Sequence, residues 1–209
     1  MEKAEKKLEL ITKYFSDFTP VQLEQLQALD ALYTDWNSKI NVISRKDMDS
    51  LYEKHVLHSL AIAAAFELPA GASVVDLGTG GGFPGIPLAI FFPDVQFLLV
   101  DSIGKKLKVV DAVAEAIGLK NVRTRHTRVE EIKDKKFDYV VSRAVAPLKE
   151  LWNWGKPLLK KGNGGLICLK GGDLAQEISE SGCRPRVMEV HQLFPEEFFK
   201  DKFLLYVPV

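Results

Sequence analysis

The sequence predicts a doubly wound, mostly parallel α/β sheet of seven strands behind an N-terminal helical cap. Three observations carry the prediction. Helical hydrophobic periodicity fills the first third of the chain, and from residue 73 it gives way to short β-rich runs alternating with helical ones. A loop with five glycines follows the first of those runs. The chain has 209 residues, 46% of them hydrophobic, enough to bury one good core. The expected organisation is a cap over residues 1–68 and a sheet unit over 69–209, joined without a long linker, repeat or low-complexity segment.

In the cap, Leu8, Ile11, Tyr14 and Phe15 form one helical stripe. Val21, Leu23, Leu26, Leu29, Leu32, Tyr33 and Trp36 form a second after a Thr19-Pro20 start. A third helix is expected from Asp47, its capping residue, to Phe66, with Leu51, His55, Leu57, Leu60, Ile62 and Ala65 on its apolar side. Strands follow at Ser73 to Leu77, Gln96 to Asp101, Val122 to Arg125, Asp138 to Ser142, Gly164 to Lys170, Val187 to Phe194 and Phe203 to Val207. Helices between the first five make parallel crossovers, whereas a loop containing Pro195 joins the last two as an antiparallel hairpin at one side.

Lys+Arg and Asp+Glu each number 28, so any basic surface is local. Cys168 and Cys183 form no C-x-x-C pair, so the sequence suggests neither a disulfide framework nor a thiolate zinc site, which favours a reducing compartment. The charged N-terminus lacks the apolar region of a signal peptide, and no apolar run approaches the ~20 residues that span a bilayer. The expected location is cytoplasmic, with no membrane partner.

The glycine loop, V-V-D-L-G-T-G-G-G-F-P-G-I-P at 74–87, admits two readings. From Gly80 it matches G-x-G-x-x-G (Gly80, Gly82, Gly85) with Asp101 about twenty residues on, the fingerprint of a dinucleotide site and so of an NAD-dependent oxidoreductase. From Asp76 it reads D-x-G-x-G-x-G (Asp76, Gly78, Gly80, Gly82) and resembles the first motif of class I S-adenosylmethionine (SAM) methyltransferases, whose strand-end acid faces the cofactor's methionine end. An anion there opposes a pyrophosphate and suits a sulfonium and an amino group, and Pro84 and Pro87 remove two N–H donors that a phosphate needs. The SAM reading is preferred.

Asp101 ends the second strand, where an acid accepts hydrogen bonds from ribose hydroxyls in either reading. Val129 and Glu130 follow the third strand, where a backbone N–H and a side chain meet an adenine edge; read alone, Glu130 is a solvated helix-start acid. The fourth strand leads into V-V-S-R-A-V-A-P-L at 140–148, which has no Asn/Asp-Pro-Pro-aromatic run for exocyclic amines. Neither cysteine reads as the nucleophile that cytosine-carbon methylation needs, so the acceptor is already nucleophilic, such as a guanine N7, and needs positioning without a general base. Arg143 can face a guanine O6, a phosphate or the cofactor carboxylate, or form an ordinary salt bridge. Lys105, Lys106 and Lys170 lie near strand carboxyl ends and are candidates for flanking phosphates.

Further segments, W-N-S-K-I-N-V-I-S at 36–44, H-V-L-H-S-L at 55–60, V-D-S-I-G-K-K at 100–106, R-V-E-E at 128–131, S-R-A-V-A-P-L at 142–148 and L-K-G at 169–171, complete an ordered set over nearly the whole chain. With the glycine loop, this set resembles the ribosomal RNA small subunit methyltransferase G (glucose-inhibited division protein B) family. The resemblance implies a SAM-dependent methyltransferase acting on N7 of a guanine in the decoding-centre hairpin of 16S rRNA; a small ribosomal subunit or its precursor is the expected partner and a monomer the expected state. By position it implies cofactor contacts at Gly78, Phe83, the backbone of Val129 and Glu130, and Arg143, with Asp101 as the ribose acid. One departure stands out: the family pattern H-x-x-D-S has His58 in place of its acid. His55 and His58 have no evident third metal ligand and read as an exposed helix face, so no metal is expected. A SAM-dependent regulator of ribosomes without catalysis is a third possibility.

Overall fold

Alternation along the strands decides how the layers assemble. The computed structural model describes residues 2–162 and 164–209, with side chains from residue 7 onward. Its sheet comprises β1 (Ser73–Leu77), β2 (Gln96–Asp101), β3 (Val122–His126), β4 (Tyr139–Arg143), β5 (Gly165–Gly171), β6 (Arg186–Glu189) and β7 (Lys202–Pro208), in the order β3-β2-β1-β4-β5-β7-β6. The first five pair in parallel, and β7 runs antiparallel between β5 and the exposed edge strand β6. Strand order reverses between β1 and β4, where an open α/β sheet forms its ligand crevice.

Val74 of β1 points into the layer that holds the cap and the helices α4 (Gly85–Phe91) and α5 (Gly104–Ala116). Val75 and Leu77 point into the opposite layer, under α6 (Leu148–Gly155) and Leu174, the residue before α7 (Ala175–Ser181). Asp76 is in phase with Val74 and therefore faces the cap layer.

The cap begins with α1 (Glu2–Thr12) and α2 (Pro20–Lys39). Thr19 closes a capping box with Gln22, as the Thr-Pro start implies, while Val21 is 61% exposed and leaves the predicted stripe. Leu26, Leu29 and Tyr33 carry the buried face of α2. The buried Tyr33 hydroxyl donates to the Gly81 carbonyl at 2.6 Å, fastening the cap to the glycine loop. Asn37 shapes the turn beyond α2, accepting from the Val42 and Ile43 N–H groups and donating to the Ile43 carbonyl.

Four expectations are corrected. The single helix from Asp47 to Phe66 is a 3-10 segment (Arg45–Ser50), a π-helical turn (Tyr52–Leu57) and α3 (His58–Ala65). Asp47 does not cap it; its carboxylate holds Lys54 Nζ at 2.6 Å. No α-helix links β3 to β4, because that highly charged link lacks an apolar stripe and forms only a 3-10 turn at Val129–Glu131. The run Val187 to Phe194 stops being a strand at Glu189 and becomes α8 (Val190–Leu193). Helical spacing buries Val190 and Phe194 together against the cap and leaves Gln192 exposed, whereas a strand, with its period of two, would put Gln192 on the same face as both. The link between β6 and β7 accordingly holds α8 and a 3-10 turn at Glu197–Phe199, although the two strands pair antiparallel as expected. Finally, His58 is buried between Phe198 and Phe199, not exposed.

Replacing Tyr33 by Phe removes the tie to the loop and leaves the buried Gly81 carbonyl without that donor. The expected loss is about 1–3 kcal/mol, read as a lower denaturant midpoint with an unchanged slope. An unchanged midpoint would remove this bond from the forces that hold the cap.

Candidate active site

At the carboxyl ends of β1, β2 and β4 and beyond β3 lies a cleft of about 610 Å³. It is lined by Leu77, Gly78, Gly80, Asp101, Lys106, Val129, Glu130, Arg143, Val145 and Trp154 among others. Most of the predicted cofactor residues therefore meet in one place. Asp76, Phe83, Lys105 and Lys170 are not among its lining residues.

The glycine loop is folded around the buried Asp76. Oδ2 accepts from Thr79 Oγ1 at 2.7 Å and from the Gly85 N–H at 2.9 Å, while Oδ1 has no partner. Burial pushes this carboxyl up to about 7, against the lowering effect of those two donors and of Arg143. The expectation that Asp76 faces a methionine end is corrected: the side chain is 0% exposed and braces the loop from beneath. Phe83 is also buried, its ring centroid 5.0 Å from that of Tyr33.

Two glycines have physical reasons. Gly78 has φ +67°, and a Cβ built there lies 2.7 Å from Val145 Cγ2, so only hydrogen fits under the β4 loop. Gly80 has φ +58° with open space around it, and its N–H donates to Asp101 Oδ2 at 2.9 Å. The dinucleotide reading fails here. The Gly82 and Phe83 N–H groups go to the Thr79 carbonyl, that of Gly85 to Asp76 and that of Ile86 to the Gly82 carbonyl, so this turn lacks the free amides a pyrophosphate needs.

Asp101 accepts from the Gly80 and Ile103 N–H groups, and as a carboxylate with about four acceptor positions it keeps capacity toward the cleft. Arg143 donates to His55 Nδ1 at 2.8 Å and to the Lys54 carbonyl at 3.1 Å, its guanidinium 5.2 Å from the Phe83 centroid. Burial lowers its pKa to about 10, partly offset by Asp76. Lys170 is withdrawn from RNA contact: it is buried, bonded to the Ala146 carbonyl and paired with Glu177 at 2.7 Å. Lys105 is exposed and Lys106 half-buried at the cleft. Burial pushes the Cys168 thiol up to about 12, which leaves it unreactive. Among the described residues no group of three His, Cys, Asp or Glu side chains could hold a metal, and no helix is long and apolar enough to cross a membrane.

The profile of the GidB family, described as rRNA small subunit methyltransferase G, matches residues 22–202. The chain belongs to that family. It is 57% identical over 205 residues to the ribosomal RNA small subunit methyltransferase G of Parabacteroides distasonis, covering 96% of this chain and 89% of the relative. The corresponding protein of Bacteroides fragilis is 55% identical over 207 residues, covering 97% and 100%. Among solved structures, a SAM-dependent methyltransferase from Aquifex aeolicus shares the fold, with a TM-score of 0.57 at 20% identity over 77% of this chain and 93% of that one. The chain is thus a member of the rRNA small subunit methyltransferase G family and carries the class I fold of SAM-dependent methyltransferases.

Sequence reasoning missed Trp154, Val145 and His55. Trp154 and Val145 lie beyond the strand-end positions that motif spacing singles out; His55 was placed on the apolar side of its helix, but no sequence signature marks the π-helical turn that aims it at Arg143.

Gly78→Ala places a side chain where φ is positive and Val145 already sits, straining the loop by about 1–2 kcal/mol. Calorimetry should show SAM affinity reduced about tenfold or more in a folded protein, and wild-type affinity would remove the close approach at Gly78. A second expectation concerns acid. Burial, reinforced by Arg143, lowers His55 and His58 from 6.5 to about 3, so their contribution to stability is present above pH 6.5 and lost as pH falls toward 3. Asp76, raised from 3.8 to about 7, acts in the opposite sense, its contribution being present below 3.8 and lost as pH rises to 7. In the middle of that window, at about pH 5, the extra protons the unfolded chain binds at the two histidines outnumber the one it lacks at Asp76, so stability rises with pH there. His58→Leu should flatten that slope in denaturant titrations; an unaltered slope refutes the assignment to His58.

Proposed function

We propose that the chain transfers the methyl group of SAM to N7 of a guanine in the decoding-centre hairpin of 16S rRNA, as a cytoplasmic monomer acting on a small ribosomal subunit or its precursor. One observation carries the reading: the linear order of residues along the strand ends. Neighbouring strands lie about 4.8 Å apart, so the order β3-β2-β1-β4 sets out Val129 and Glu130, then Asp101, then Gly78 and Gly80, then Arg143 across the cleft. Val129 and Glu130 suit the adenine, Asp101 the ribose hydroxyls, and Gly78 with Arg143 the methionine end.

The bound sulfonium supplies an electrophilic methyl group. The chain's own residues hold and orient. Beyond Gly78 the cleft is lined by Arg143, Ala144, Val145 and Trp154, none of which is a carboxylate or imidazole that takes a proton. Guanine N7 attacks through a lone pair and has no proton to lose, so apposition and exclusion of water suffice. Trp154 provides an aromatic surface for the target base, which must leave its stack or already be exposed, and Lys105 and Lys106 provide positive charge for adjacent phosphates.

Purified protein with isotopically labelled SAM and small subunits should place the label on a guanine N7 of 16S rRNA, located by mass spectrometry of nuclease fragments. A label on another atom or another RNA sinks the specific assignment, and cofactor binding without any transfer favours a regulator. Trp154→Ala should raise the KM for subunits about tenfold, the scale of one lost base stack, with SAM affinity little changed. Equal losses for both ligands would place Trp154 elsewhere in the mechanism.

A further inference from the structure

Arg143 is held without a direct counter-ion. Its Nη2 donates to His55 Nδ1 at 2.8 Å and its Nη1 to the Lys54 carbonyl at 3.1 Å. Both acceptors come from consecutive residues of the π-helical turn Tyr52–Leu57, whose wide spiral brings a main-chain oxygen and the next side chain to one guanidinium. Phe83 backs the pair, with the His55 ring and the guanidinium each 5.2 Å from its centroid. A guanidinium has five N–H donors and no acceptor, so the facing Nδ1 carries no proton and the ring's single proton is on Nε2. That Nε2 is buried without a partner, an arrangement that costs about 1–3 kcal/mol and is not explained by packing alone.

The charged and titratable groups around the pair are few. Lys54 neighbours His55 on the same π-helical turn and His58 opens α3 just after it, with Asp47 before it and Arg143 opposite; Asp76, Tyr33 and Asp47 act on Arg143. Asp47 is occupied by Lys54, and Asp76 uses Oδ2 for Thr79 and Gly85. Among the described residues no carboxylate forms an ion pair with Arg143, and position 58, where the family pattern has an acid, is the buried His58. With two of five donors used by His55 and Lys54, three remain on a guanidinium that lines the cleft.

We propose that His55 is a positioning residue: as an uncharged acceptor it fixes Arg143 without neutralising it, and so reserves that charge for the carboxylate of the cofactor's amino-acid end. The inference rests on the cofactor reading above. A glutamate at position 55 would hold Arg143 equally well but compete with the bound carboxylate.

The test compares wild type, His55→Gln and His55→Glu by calorimetry with SAM and with its decarboxylated analogue, after thermal melts establish folding. His55→Gln should stay within about threefold of wild type for SAM, while His55→Glu should lose about tenfold or more. The Glu penalty should vanish with the decarboxylated ligand. Equal effects of Gln and Glu, or a Glu penalty that persists without the carboxylate, overturn the role. A readout on the wild type needs no variant: 15N spectra of labelled histidines at pH 6 should show His55 with its proton on Nε2, and an imidazolium or an Nδ1–H tautomer overturns the role as well. No SAM binding by the wild type overturns the cofactor reading itself, a result distinct from a Glu variant that binds SAM normally.

Discussion

The buried carboxylate of Asp76 governs the shape of the cleft. One oxygen gathers the Thr79 hydroxyl and the Gly85 amide, and this pulls the glycine turn back over the end of β1. From that constraint follow the outward placement of Gly78 and Gly80, the hydrogen bond from Gly80 to Asp101, and the use of the loop amides within the loop itself. The turn thus discriminates between cofactors by architecture. A pyrophosphate finds no row of free amides, whereas a ligand that needs a ribose acid and close backbone approach finds both.

The cap is joined to this arrangement at two levels. Tyr33 holds the Gly81 carbonyl from below, and the π-helical turn delivers the two groups that fix Arg143 from the side. Phe83 connects them, packing on Tyr33 with one contact and beneath Arg143 with another. The helical segments ahead of the sheet are therefore part of the site's wall, and one core runs continuously from α2 and α3 to the strands.

How much of this was legible varies with the kind of signal. β1 and β2 matched residue for residue, since central parallel strands are buried runs bounded by turn residues. The orientation of Asp76 was also available: it lies two residues after Val74 in a strand, so a core-facing Val74 implies a core-facing Asp76. Lys170 continues the run Leu166 to Leu169, every residue of which is buried, and that continuity marked it as enclosed. The pairing of His55 with Arg143 was not legible, because it depends on a π-helical widening that tertiary contacts with Arg143 and Phe83 reward and no local propensity announces. The family motifs located the strand ends correctly without telling which side chains open to the cleft and which support it.

Gly81 illustrates what this coupling means for inheritance. A Cβ added there would lie 3.0 Å from Val42 Cβ, and its carbonyl is held by Tyr33, so the fit of one loop residue is set by two positions some forty residues upstream. Recombination that exchanged the helical half of one gene for that of a divergent homologue would bring together surfaces that never evolved in contact. The two halves are consequently expected to descend together, and the apparent seam between helices and sheet is not a point at which this chain divides into transferable modules.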